Sequence, residues 1–384
     1  MSRISREKQG KVFVGMSGGV DSSVAALLLK KQGYDVTGVF IKSYNIDGCA
    51  ERDAEDARRV AEHIGIPFYV FDFEKEYKKK VVDYMIEGYR AGLTPNPDVM
   101  CNREIKFGLF LKRALSLGAD YVATGHYVKL LASPRTFAKS VSGATPKSYA
   151  SQERAATHPR FLGIAKDTNK DQSYFLWTLT RKELEHCIFP LGNITKPEVR
   201  KIAARAGLVT AEKKDSQGIC FLGMFDVKEF LKKHIKTKKG SVVDMRGNSI
   251  GEHDGAVLYT IGQRHGFRLC GRSGTETKPH YVVAKDAKKN ILVVAEGSES
   301  PALFREEVEL VEVNLVLPVK NGMGVMARVR YRQPLSAAKL VIGGAKTKPK
   351  YKLVFAKPQK FVAEGQSAVF YKKGGLLAGG GIIV

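Results

Sequence analysis

No apolar run in this chain approaches the roughly 18 residues that a membrane-spanning helix needs, so a helical membrane protein is excluded. The opening stretch Met1-Ser2-Arg3-Ile4-Ser5-Arg6-Glu7-Lys8 lacks the apolar centre of a secretory signal, and Glu7 argues against an organelle transit peptide. The expected compartment is the cytoplasm, with no membrane partner. Cysteine is scarce: there are 5, at Cys49, Cys101, Cys187, Cys220 and Cys270. No C-x-x-C pair occurs among them, so a structural zinc site is not expected and no metal ligands are assigned. Each cysteine is then either a small buried hydrophobe or a reactive thiol. Acidic residues are also in short supply. Asp and Glu total 39 against 63 Lys and Arg, a net charge of +24. That surplus points to a polyanionic partner, because binding phosphates releases their counterions.

What remains is an ordinary folded composition, 43% hydrophobic and 27% charged, over 384 residues, enough for two or three domains. Apolar runs predict strands at 12–16, 35–41, 68–73 and 121–124, and helical spacing predicts helices at 22–32, 52–64, 74–91 and 102–117. Strands alternating with helices indicate a doubly wound parallel sheet. Residues 129–165 break the pattern. They are rich in Ser, Thr, Pro and Ala, and Lys129, Arg135, Lys139, Lys147, Arg154 and Arg160 face only Glu153, which reads as an exposed, partly mobile basic insertion. Helix returns at 172–177 and 196–206. From about Ile219 onward, short runs at 241–244, 281–284, 291–295, 324–331, 351–355 and 367–371 predict small barrels or sandwiches.

Between the first strand and the first helix stands Ser17-Gly18-Gly19-Val20-Asp21-Ser22-Ser23. The two glycines let the backbone approach an anion, and Ser22 and Ser23 open a helix whose first amides lack intrahelical partners. Hydroxyls and amides together suit a phosphate. Asp21 does not, since like charges repel; it either holds Mg²⁺ or orients the loop. The lysine of the G-x-x-x-x-G-K-[ST] loop is absent, which excludes a kinase-type or GTPase-type site. The order of residues resembles the loop of ATP pyrophosphatases, which release pyrophosphate and transfer AMP to a substrate oxygen.

The likeness widens at Thr94-Pro95-Asn96-Pro97-Asp98-Val99-Met100-Cys101-Asn102, at Ala123-Thr124-Gly125-His126-Tyr127 and at Lys170-Asp171-Gln172-Ser173-Tyr174. It continues at Asp215-Ser216-Gln217-Gly218-Ile219-Cys220-Phe221, Gly262-Gln263-Arg264 and Gly365-Gln366-Ser367-Ala368. These motifs, in this order, resemble the tRNA-specific 2-thiouridylases almost end to end. The resemblance implies an adenine nucleotide alpha hydrolase-like α/β domain at 1–216, a small mainly-β domain at 217–294 and a tRNA-binding β-barrel at 295–384. It implies that ATP, with Mg²⁺, adenylates the C2 oxygen of the wobble uridine in tRNAs for Lys, Glu and Gln. Persulfide sulfur then replaces that oxygen, giving 2-thiouridine, AMP and pyrophosphate. A cysteine desulfurase or a sulfur-relay protein would deliver the sulfur, and the enzyme would be a monomer.

By matching position, Gly15, Met16, Ser17, Gly18, Gly19, Val20, Asp21 and Ser22 would hold ATP, with Ile41 and Gly125 lining its pocket. Ile41 replaces the methionine common in the family, a volume-conserving change. Cys101 matches the nucleophile and Cys220 the persulfide carrier. Asn96, Pro97 and Asp98 match the strip beside the target base. His126, Lys170, Asp171, Gln172, Arg330, Tyr331 and Gln366 match tRNA contacts.

Read as bare residues, several of these stay open. Sulfur transfer needs a nucleophile and a second thiol, both reachable, and the Pro97 and Gly218 neighbourhoods read as loops. Asp98 is either an acid–base group or a turn residue. His126 either meets substrate or packs at a strand end. Arg328, Arg330 and Arg332 alternate on a predicted strand, so they should share one face and suit phosphate contact. Two rivals are kept. Another ATP pyrophosphatase acting on a small metabolite would need neither Cys101 nor Cys220, and a non-catalytic RNA-binding protein would leave ATP intact.

Overall fold

Val12, Phe13 and Val14 are apolar on both faces of the first strand, and that run can only be satisfied inside a sheet covered on both sides. The structure, a computed structural model, describes residues 9–44, 48, 50–131, 160–214, 226–270, 278–345 and 347–384. Most of the insertion at 129–165, together with Cys49 and Cys220, lies outside the described residues. The chain divides into two units, one of residues 1–81, 98–225 and 371–379 and the other of 82–97, 226–370 and 380–384.

In the first unit, β1 (Lys11–Gly15), β2 (Asp35–Lys42), β3 (Phe68–Asp72) and β4 (Tyr121–Thr124) form a parallel sheet with a short fifth strand, Cys187–Ile188, beside β4. The spatial order is β3-β2-β1-β4, so the chain proceeds from β1 to β2 and β3 on one side and places β4 on the other. Connections leaving β1 and β4 diverge there, which opens the crevice where α/β sheets bind ligands. Helix α1 (Val20–Gln32) buries Val24, Ala25, Ala26, Leu27 and Leu29 and stops at Gly33, whose φ of 96° only glycine adopts cheaply. Helix α2 (Ala50–Ile64) buries Ala57, Val60, Ala61 and Ile64, while Arg58 pairs outward with Glu55 and Glu62. These helices and β1, β2 and β4 enclose one core, with Val12, Val14, Leu29, Val36 and Phe40 at its centre. Truncating a side chain as buried as Leu29 to alanine typically costs about 2–5 kcal/mol.

The helix predicted at 74–91 is interrupted by a π-wound turn at Lys78–Val82, and the one predicted at 102–117 begins earlier, at Pro97–Met100, and is π-wound over Cys101–Phe110. The helix expected at 172–177 is a single 3₁₀ turn, Ser173–Leu176.

The second unit departs from a purely β reading at Val227–His234, a helix capped by Asp226, whose carboxylate accepts from the Lys228 and Glu229 amides. Beyond it the β prediction is met. A five-stranded sheet runs Arg268–Leu269, Ser249–His253, Gly240–Val243, Ile291–Glu296, His280–Asp286. Six further strands, Phe304–Leu315, Lys348–Lys360, Ser336–Ala345, Met323–Arg328, Ser367–Lys372 and Leu376–Ile383, follow in that spatial order, and the last pairs with the first. That closure makes a barrel, and the short strands Phe161–Gly163 and Lys129–Leu131 extend the sheet beyond Leu376. Among the described residues no helix is long and apolar enough to cross a membrane.

Candidate active site

Glycine is forced at position 18. Its φ is +70°, and a Cβ there would run into the Asp53 carbonyl of α2. Gly125, just past β4, is forced by proximity instead: a Cβ would stand 2.7 Å from the Ser22 amide nitrogen. Without a side chain at 125, the first turn of α1 settles against the end of β4. Gly15 ends β1, Ile41 is buried near the end of β2, and Gly125 follows β4, so three predicted nucleotide positions gather at the switch point. Ser17 is exposed and Met16 buried.

The serine hydroxyls turn inward. Ser22 Oγ accepts from the Ser17 amide at 3.1 Å and donates to the Gly19 carbonyl at 3.2 Å, and Ser23 Oγ donates to the same carbonyl at 2.8 Å. Both side chains are buried, so they brace the loop rather than offering hydroxyls to a phosphate as the sequence suggested. The anion-binding capacity falls to the amides at the start of α1 and its dipole.

Asp21 is held from two sides. Lys196 Nζ lies 2.7 and 2.8 Å from its two carboxylate oxygens, and the Tyr127 hydroxyl donates to it at 2.6 Å. Of the two roles foreseen for Asp21, orienting the loop is the one this geometry serves. Tyr127 is in turn fixed by Gln172, whose Oε1 accepts from the Tyr127 amide at 3.0 Å and whose own amide donates to the Tyr127 carbonyl at 2.9 Å. Lys196, missed in the sequence, opens the helix Lys196–Arg205; its amide donates to Asp167 at 2.9 Å, and its side chain is only 10% exposed. The flanking Thr195 and Glu198 were the available signal, since a Thr three residues before a Glu marks a helix start. Glu198 accepts from the Thr195 amide at 2.7 Å and hydroxyl at 2.8 Å, and pairs with Lys166 at 3.0 Å.

The Thr195 amide first, then Lys166, holds the Glu198 carboxyl down at about 2, against an ordinary 4.5. A depressed carboxyl contributes stability that is complete above the unfolded value and is lost as pH falls through the folded one. Glu198→Ala is therefore expected to lower the melting temperature at pH 6. The gap from the parent should shrink below pH 4.5 and close near pH 2, as followed by circular dichroism. A gap independent of pH would show that the carboxylate does not cap this helix.

Cys101 is fully buried, at 0% exposure, rather than reachable in a loop, because the helix starting at Pro97 carries it inward. Asp98 is partly exposed in the first turn of that helix and is not a turn residue. His126 is 6% exposed; its Nδ1 is 2.7 Å from Thr124 Oγ1, and the Phe107 and Phe189 rings flank it. Burial, with Lys106 nearby, pushes its pKa well below the ordinary 6.5, so it sits neutral and packed. Asp171 is 1% exposed and accepts from the Ala165 amide and the Ser173 amide and hydroxyl; it is a bracket for the chain rather than a surface group. Lys170 and Gln172 are partly exposed. Among the described residues no cluster of three or more His, Cys, Asp or Glu is arranged to hold a metal ion.

Burial also raises the Cys187 thiol, whereas Cys270 is exposed. Iodoacetamide applied to the native chain without ligands is expected to label Cys270 and spare Cys101 and Cys187, read by peptide mass spectrometry. Equal labelling of Cys101 would contradict its burial.

In the second unit the arginine face does not form. The strand ends at Arg328, which is buried; Arg330 donates to the Ile261 carbonyl at 2.6 Å and lies over the Phe361 ring; Arg332, with φ of 63°, is exposed over the Tyr331 ring. Tyr331 is partly exposed. The Gln366 amide donates to the Thr94 carbonyl at 2.9 Å and is 3.4 Å from that of Pro95; Asn96 is buried in the same stretch.

A glycine-bent loop at the switch point of a parallel sheet, followed by a closed barrel, defines a nucleotide-binding α/β protein with β appendages. The family description "tRNA methyl transferase HUP domain" matches residues 10–224, "tRNA methyl transferase PRC-barrel domain" residues 228–296, and "Aminomethyltransferase beta-barrel domain" residues 305–383. A tRNA-specific 2-thiouridylase MnmA of Streptococcus thermophilus is 45% identical over 97% of this chain and 95% of its own, and one of Streptococcus mutans is equally similar. The chain belongs to the tRNA-specific 2-thiouridylase family. Among solved structures, a 4-thiouridine synthetase–RNA complex with bound ATP shares 18% identity at a TM-score of 0.32, covering 59% of this chain and 50% of that one, too slight a likeness to bear on the chemistry.

Proposed function

We propose that this chain replaces the C2 oxygen of the wobble uridine of tRNA with sulfur at the expense of ATP. The observation that carries the reading is 45% identity to a 2-thiouridylase over 97% of the chain, joined to a loop bent at Gly18 just before α1. ATP suits that loop: glycine at 18 lets the turn pack against α2, glycine at 125 lets the first turn of α1 pack against the end of β4, and the amides and dipole at the start of α1 favour a phosphate. A divalent cation would accompany the nucleotide and shield its charge. Residues 1–216 would carry the catalysis, and 217–294 and 295–384 would hold the tRNA.

The uridine O2 attacks the α-phosphorus of ATP and pyrophosphate leaves, so C2 bears an adenylate leaving group. The terminal sulfur of a Cys220 persulfide attacks C2 and AMP departs. The Cys101 thiolate then attacks Cys220 Sγ, freeing 2-thiouridine and leaving a Cys101–Cys220 disulfide for a two-electron reductant to open. If instead Cys101 first releases hydrosulfide, the same disulfide results. A cysteine desulfurase or relay protein would reload Cys220; tRNAs for Lys, Glu and Gln are the substrates, and the enzyme works as a cytoplasmic monomer.

The test is incubation with ATP, tRNA and a persulfide donor, with AMP and thiolated nucleoside measured by mass spectrometry. Both products are expected. AMP without thiouridine would favour an ATP pyrophosphatase acting on another substrate, and no turnover would favour a non-catalytic RNA-binding protein.

A further inference from the structure

We infer that Gln366 and Thr260 are positioning residues that clamp the stretch leading into Asn96, Pro97 and Asp98, rather than groups that touch RNA. The importance of that stretch rests on the proposed function, but the clamp itself is geometric and lies within the second unit.

Every polar group of Thr94 is committed to it. The Thr94 amide donates to the Glu364 carbonyl at 2.8 Å, its hydroxyl to Thr260 Oγ1 at 3.2 Å, and its carbonyl accepts from Gln366 Nε2 at 2.9 Å. Thr94 is buried, so each of these bonds would leave an uncompensated group if broken. The turn that supplies Glu364 and Gln366 is itself anchored. The Gly365 amide donates to the Ile383 carbonyl at 2.9 Å, and the Ile383 amide donates to the Gln366 carbonyl at 2.8 Å. Gly365 has φ of +87°, and a Cβ there would stand 2.9 Å from the Thr94 nitrogen, so the close approach requires glycine.

Thr260 is fixed no less firmly. Its amide donates to Gln263 Oε1 at 3.2 Å, the Gln263 amide donates back to its carbonyl at 3.0 Å, and the Tyr89 phenol is hydrogen-bonded to it. The helix Asp83–Arg90 gives Pro95 its seat, since a Cβ on Gly88 would stand 2.8 Å from the Pro95 ring. The family motifs at Gly262-Gln263 and Gly365-Gln366 thus converge on residues 94 and 95, and Asp98 follows on the same covalent chain. Both N–H donors of the Gln366 amide are turned to main-chain carbonyls, so neither is left to donate to a phosphate. Catalytic groups held loosely by even about 1 Å lose rate more than affinity, which is the signature of positioning.

The experiment uses the full-length chain with Gln366→Ala, Gln366→Glu, Gly365→Ala, Thr260→Val and Thr260→Ser. Gln366→Glu keeps the size but sets a carboxylate against two carbonyls. Expected are a fall in kcat for AMP release at saturating tRNA of roughly tenfold or more for Gln366→Glu, Gly365→Ala and Thr260→Val, a tRNA Kd within about twofold of the parent, and near-parental kcat for Thr260→Ser. Hydrogen exchange of peptides spanning residues 94–101 should quicken in the same variants, whether or not the chain turns over. A tRNA Kd weakened with kcat unchanged would make Gln366 an RNA contact and overturn the inference. So would unaltered exchange at 94–101. A parent chain that releases no AMP would sink the functional reading while the exchange data still decide the clamp.

Discussion

Lys196→Met is expected to slow AMP release by roughly two to three orders of magnitude, the range found when a preorganised charge is removed from a site where negative charge develops. Lys196 Nζ neutralises both oxygens of Asp21 at 2.7 and 2.8 Å, in the first turn of α1. Methionine has a similar length and no charge. Asp21 would then face the triphosphate with no cation beside it and only the Tyr127 hydroxyl to hold it, and two unit charges about 4 Å apart at an effective dielectric of about 20 repel by about 4 kcal/mol. The loss should appear in both kcat and the ATP KM, because the repulsion acts before and during pyrophosphate departure. Tyr127→Phe removes a single hydrogen bond and leaves the ion pair, so its effect should stay below about tenfold. Labelled ATP and saturating tRNA supply the assay. Parental rates in Lys196→Met would mean that Asp21 does not face the nucleotide.

Cys220→Ser is expected to abolish thiouridine formation, by more than about a thousandfold, while pyrophosphate is still released in a single burst on tRNA. A serine oxygen cannot carry a sulfane sulfur, yet nothing in the adenylation step needs that thiol. Cys101→Ser should behave alike if Cys101 closes the reaction. Thiouridine retained in Cys220→Ser would refute the persulfide role. The burial of Cys101 adds a condition to the proposed reaction: its thiol, 0% exposed, would have to become accessible before it could attack Cys220.

Where one local pattern decides, the sequence was legible. The apolar runs of β1, β2 and β4 and the glycines of the loop each appear where periodicity and backbone chemistry put them, because each is determined by a few neighbouring residues. The helix Val227–His234 was lost because two turns burying only Phe230 and Leu231 give too short a period to stand out from β surroundings. Arg328, Arg330 and Arg332 misled because alternation predicts a shared face only while the strand continues, and it stops at Arg328. Asp171 and His126 looked like surface chemistry because a polar residue does not announce whether its partners are protein or solvent. The Asp21–Lys196 pair spans 175 positions, and nothing short of the folded chain brings those two together.

The barrel's last hairpin has a consequence for how the chain is made. Residues 371–379 count with the α/β unit, where Leu376 pairs with Gly163 and Tyr371 hydrogen-bonds Ser173 at 3.0 Å, while 82–97 count with the other. Neither unit is a single uninterrupted length of polypeptide. During synthesis the nucleotide loop can form early, but the unit around it stays incomplete until 371–379 emerge, after the whole of 226–370 has been translated. Slow final closure is the expected behaviour of chains whose contacts are distant in sequence.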